Sequence, residues 1–205
     1  DFGAALDPPT EDVTAHVLEA RALFGLSGEA SRRALRFLLD RQEPDGAWWG
    51  RWGVNYVYGI GAVVPALVAA GMPRAAAPLK RAALWLADHQ NVDGGWGETC
   101  ASYRDPSLRG LGVSTASQTA WALLTLLAVR PADAPEIKRG IDYLIETQQP
   151  NGEWLEDEFT GTGFPGDFML KYHCYRLYWP LWALGRYRRI VAGSTIHEPG
   201  SEALS

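Results

Sequence analysis

At 205 residues the chain is long enough for one domain with a substantial core. Its net charge of −5, with a pI of about 5.4 and no basic run, excludes the electrostatic footprint of a nucleic-acid binder. Two cysteines, Cys100 and Cys174, make no disulfide framework and fit a reducing compartment, while nine Trp, eight Tyr and six Phe point either to core bulk or to an aromatic-lined pocket. The chain opens on Asp1-Phe2-Gly3 with neither an initiator Met nor a signal peptide, so we expect a piece of a longer protein.

A first helix is expected over about 11–25, with Thr10 as N-cap and Glu11 and Asp12 in its first turn. Asp12 and His16 stand four apart and share a face of it, and a carboxylate beside an imidazole favours the protonated ring. Residues 52–73 and 110–129 carry no charge and are each long enough to span a bilayer. Asn55, Pro65 and four glycines in the first, and Ser114, Thr115, Ser117, Gln118 and Thr119 in the second, argue instead for helices surrounded by other helices.

Three segments align without a gap: RALRFLLDRQEPDGAW (33–48), RAALWLADHQNVDGGW (81–96) and RGIDYLIETQQPNGEW (139–154). Each runs Arg, a small residue, an aromatic, then Gln42, Gln90 or Gln148, an Asp-Gly or Asn-Gly pair, and Trp48, Trp96 or Trp154. The apolar spacing before each Gln predicts a helix, and the Asp-Gly or Asn-Gly pair ends it. The Gln is expected to offer its amide to unpaired carbonyls and its oxygen to free N–H groups of the next helix, under cover of the Trp ring. Polar-faced helices over about 29–41, 74–89 and 135–147 alternate with charge-poor ones over about 54–71, 114–129 and 168–187. The predicted fold class is therefore all-α, part of an α/α toroid built from helical hairpins in two concentric layers. Residues 1–189 form this unit, and 190–205 is a polar tail expected to be disordered. GTGFPGDF (161–168) is expected to bend the chain through Gly161, Gly163, Pro165 and Gly166, with Asp167 capping an inner helix that starts near Phe168.

The Gln–Trp repeats resemble the QW motifs of triterpene cyclases. Together with DPPTEDVTAH (7–16), GRWGVNYVYG (50–59), DGGWGE (93–98), STASQTAWAL (114–123) and TGTGFPGDF (160–168), they closely resemble the C-terminal part of bacterial squalene–hopene cyclases. The resemblance covers residues 1 to about 189. It implies an α6–α6 barrel and an isomerase that closes squalene into pentacyclic hopanoids, hopene or diplopterol, by a carbocation cascade. In the family a protonated aspartic acid in an Asp-x-Asp-Asp motif starts the reaction, upstream of the region matched. This chain contains no such motif, so the chain alone is expected to be inactive.

Carried over by resemblance, His16 hydrogen-bonds the catalytic acid and Asp12 supports His16. Phe164 and Phe168 face the later cations, and Phe2 and Trp52 are walls for intermediate ones. Tyr58, Tyr172, Gly163 and Tyr175 line the substrate cavity. Aromatic faces suit this role, since each is worth about 2 kcal/mol or more to a cation when water is excluded. No cofactor or metal is expected. The expected partners are squalene, a second copy of the protein, and a membrane surface, on which the family is peripheral at the cytoplasmic side in bacteria.

Two alternatives compete. A zinc prenyltransferase β-subunit would use His173, Cys174 and Asp167, but zinc wants three or four convergent ligands and adjacent helical residues point about 100° apart. A non-catalytic toroid scaffold would leave Phe2, Trp52, Phe164 and Phe168 scattered.

Overall fold

The computed structural model describes residues 8–193. Among these, seven helices alternate between two layers: α1 (Glu11–Leu23), α2 (Glu29–Asp40), α3 (Tyr56–Ala69), α4 (Ala77–Asp88), α5 (Ala116–Val129), α6 (Pro135–Thr147) and α7 (Tyr175–Val191). α1, α3, α5 and α7 pack side by side in that order; α2 lies on α1, α4 on α3 and α5, and α6 on α5. The result is an arc of an α/α toroid. The uncharged windows explain the inner layer. α5 buries every residue from Ala116 to Ala128 and α3 most of its length, because other helices sheath them on nearly all sides. Among the described residues no helix is long and apolar enough to cross a membrane. The outer helices bury one stripe each, as α6 does with Ile137, Gly140, Ile141 and Leu144.

The repeats hold the two layers in register. Gln42 Nε2 donates to the carbonyls of Gly46 and Pro78, both at 2.9 Å, and Gln90 Nε2 to those of Gly94 and Glu136 at 2.7 and 2.8 Å. Gln148 Nε2 reaches the Gly152 carbonyl at 3.0 Å. The amide thus satisfies carbonyls as expected. The oxygen does not serve helix N–H groups: it accepts from Arg81 in the first unit and Arg139 in the second. A guanidinium reaches further than a backbone N–H, and the repeat's leading Arg is therefore the partner of the preceding unit's Gln. Each Trp is fully buried and donates its indole N–H to an orphan carbonyl of the helix before it: Trp48 to Leu38, Trp96 to Leu86 and Trp154 to Leu144. Gly46 and Gly94 adopt φ of 100° and 88°, and a Cβ on either would collide with the backbone of Arg81 or Arg139.

GTGFPGDF corrects one expectation. No helix starts at Phe168: β1 (Gly161–Phe164) and β2 (Phe168–Leu170) form an antiparallel hairpin that pairs Phe164 with Phe168. Phe164-Pro165-Gly166-Asp167 is its turn, closed by Asp167 N–H donating to the Phe164 carbonyl at 3.0 Å, with Gly166 at φ 83°. Asp167 caps no helix among the described residues; its carboxylate pairs with Arg104. The hairpin persists because β1 also has a partner on its other side. Thr162 N–H donates to the Trp52 carbonyl and Val54 N–H to the Thr160 carbonyl. The helix expected from residue 168 begins only at Tyr175.

Candidate active site

The N-terminal ends of the inner helices α3 and α5 are tied down by carboxylates. Glu98 Oε2 accepts from Val57 N–H at 2.9 Å at the start of α3, and Glu156 accepts from Ser117 N–H at 2.9 Å at the start of α5. Each Glu stands two residues after a repeat Trp, so the unit that supplies the Trp also caps the neighbouring inner helix. Burial raises both carboxyl pKa values, against the opposing pull of these hydrogen bonds. The equivalent place after Trp48 is Gly50, and there the carboxylate comes from the helix instead. Buried Asp12 in α1 accepts from the N–H groups of Arg51 and Trp52 at 3.0 and 2.8 Å.

That bond set changes the expected role of Asp12. Its other oxygen accepts from Val13 N–H and from the Thr10 hydroxyl, the latter at 2.6 Å. Thr10 occupies the N-cap position but donates to Asp12, the stronger acceptor, and makes no side-chain cap. Asp12 therefore holds the Trp52 loop, and it acts on His16 through its charge. His16 Nε2 lies 3.1 Å from the Tyr58 hydroxyl. Desolvation lowers the His16 pKa and prevails over the upward pull of Asp12, so the environment does not favour the imidazolium as the i, i+4 spacing suggested.

From His16 the site continues through aromatic contacts. Tyr58 meets Trp121 at 4.9 Å between centroids, Trp121 meets Tyr175 at 5.8 Å, and Tyr175 meets Tyr172 at 4.7 Å. Tyr58 packs on Gly53 and Tyr172 on Gly161, the two glycines that bridge the Trp52 loop to β1. Phe168 packs on Gly163, where a Cβ would meet its ring at 2.7 Å. Trp52 and Phe164 both lie against the guanidinium of Arg51. The structure thus brings His16, Trp52, Tyr58, Gly163, Phe164, Phe168, Tyr172 and Tyr175 onto one contiguous surface. Phe2 lies outside the described residues. Phe164 and Phe168 remain exposed at 40% and 53%, as rings facing an open space do.

Two residues escaped the sequence reading. Trp121 joins Tyr58 to Tyr175 and carries the surface from α3 to α7; it stood in the motif STASQTAWAL as apparent core. Arg51 stood beside Trp52 in GRWGVNYVYG, with nothing local to show what it would meet. His173 and Cys174 are exposed in the turn before α7, and among the described residues no three His, Cys, Asp or Glu side chains converge as metal ligands would. The surface presents ring faces and hydroxyls, while Asp12, Glu98 and Glu156 each commit an oxygen to backbone N–H groups. Ring faces of this kind attract positive charge.

Residues 1–189 match the squalene-hopene cyclase C-terminal domain. The squalene–hopene cyclase of Alicyclobacillus acidocaldarius is 53% identical, covering 93% of this chain and 31% of that protein. That of Bradyrhizobium diazoefficiens is 48% identical, covering 93% and 29%. Among solved structures, ent-copalyl diphosphate synthase from Streptomyces platensis is similar with a TM-score of 0.61 at 25% identity, covering 91% of this chain and 33% of that one. The chain thus spans about 30% of the length of the curated relatives it matches.

Proposed function

The chain belongs to the squalene–hopene cyclase family, and on that premise we propose that it supplies the C-terminal part of the cavity of a protonation-initiated triterpene cyclase. The complete enzyme closes squalene into hopene, an isomerisation in which the final cation loses a proton, or into diplopterol, in which that cation is captured by water. The observation that carries this reading is the contiguous aromatic surface from Tyr58 to Phe168. Trp52, Phe164 and Phe168 take the cation in turn, each desolvated face being worth about 2 kcal/mol. His16, held by Tyr58, faces the acid that starts the cascade. That acid is supplied from outside this chain, which contains no Asp-x-Asp-Asp. Peripheral membrane attachment and pairing of copies belong to the same proposal and rest on family likeness.

The test is a chimera in which this chain replaces the matching C-terminal part of the Alicyclobacillus acidocaldarius relative. Incubated with squalene, the chimera should give pentacyclic product and the isolated chain none. A folded chimera without cyclised product, or an isolated chain that makes hopene, would overturn the reading.

A further inference from the structure

A guanidinium is buried within this aromatic surface. Arg51 is 2% exposed, and its Nη1 donates to the Gly163 carbonyl at 2.9 Å. Its Cζ lies 4.6 Å from the ring centroid of Trp52 and 6.0 Å from that of Phe164. A buried charge is weak evidence of stabilisation, because an apolar residue of similar volume often serves as well. A fixed cation is also an unexpected neighbour for rings that are to hold a carbocation.

Two physical consequences follow. One is mechanical. Arg51 belongs to the loop that Asp12 anchors, and its side chain bears on a ring and a carbonyl near β1, so it sets Trp52 and Phe164 relative to each other. The other is electrostatic. A ring polarised toward a guanidinium on one face attracts a second cation less on the other. The effect is greater at Trp52 than at the more distant Phe164, and no guanidinium contact is made by the Phe168 ring among the described residues.

We propose that Arg51 is a positioning and specificity-determining residue of cyclisation, locking Trp52 and Phe164 into one wall and keeping Trp52 from trapping a cation that must move on. Both effects act in one direction: without Arg51, more of the cascade ends early. The proposal rests on the function proposed above.

The chimera tests it by comparing Arg51→Met and Arg51→Lys. The reading is the ratio of partly cyclised to pentacyclic products from squalene, which a purely structural role would leave unmoved while turnover fell. Arg51→Met should raise that ratio by about tenfold, with Arg51→Lys between it and the parent because it restores charge without the planar stack. A folded Arg51→Met chimera with an unchanged ratio overturns the proposal. If that variant does not fold, Arg51→Lys decides by the same ratio. An unsubstituted chimera that makes no cyclised product counts against the proposed function. In that event 5-fluorotryptophan labelling decides on positioning alone: the Trp52 resonance, assigned by its loss in Trp52→Phe, should shift and broaden on Arg51→Lys. An unmoved Trp52 resonance overturns the proposal.

Discussion

Asp12 shows how a residue's spacing and its bonds can point to different jobs. Four positions before His16, it looks like an electrostatic partner. Its four hydrogen bonds instead make it the clamp between α1 and the Trp52 loop. Removing the carboxylate leaves the Arg51 and Trp52 N–H groups without their acceptor in a buried place. Asp12→Ala should therefore cost about 3 kcal/mol, read as a lowered urea midpoint, and Asp12→Asn about half of that. An Asp12→Ala midpoint equal to the parent's would show that the clamp is dispensable. Phe164 and Phe168 teach the complementary lesson. Their interval of four looked like two sides of a bend, and it is a cross-strand pair at the end of a hairpin.

The elements are joined end to end by groups that compensate their orphan polar atoms. Outer helices end on Gln amides and Trp indoles, while α3 and α5 begin on Glu98 and Glu156. The carboxylate caps carry a pH signature. Burial holds Glu98 above its ordinary value of 4.5, despite bonds from Val57 and Asn55 that favour the charged form. The folded protein keeps a proton that the unfolded chain releases, so stability should fall as pH rises from 4.5 through the raised folded value. Glu156 acts in the same sense. Glu98→Gln keeps an acceptor for Val57 and removes the ionisation. It should flatten part of that fall, as measured by urea denaturation over roughly pH 4 to 7. An unchanged slope would place the pH dependence elsewhere.

At the scale of the whole molecule, the described arc exposes apolar side chains at both ends of its inner layer. Val13 and Val17 do so on α1, and Leu181 and Trp182 on α7. Exposed patches of this kind bind apolar dyes. The isolated chain should enhance anilinonaphthalene-sulfonate fluorescence while keeping the near-ultraviolet dichroism of packed tryptophans, and the chimera should do so less. Equal dye binding by both would mean that these faces are not covered on assembly. Much of this architecture was legible in the chain. Apolar spacing, charge-free windows and a repeat of fixed interval are local properties, so the seven helices, their two layers and the Gln–Trp clasps could be read directly. The family likeness added the aromatic residues of the proposed site. Tertiary structure alone decided who meets whom across distance. Arg81 reaches back 39 residues to Gln42 and Arg139 reaches back 49 to Gln90, so no fixed interval marks the pair. Arg51 meets Gly163 across 112 residues. The segment expected to enter a helix at Phe168 became a strand because β1, itself held by the Trp52 loop, offered its backbone a partner. Periodicity records which face of an element is buried, but not which distant backbone or charge will be waiting there.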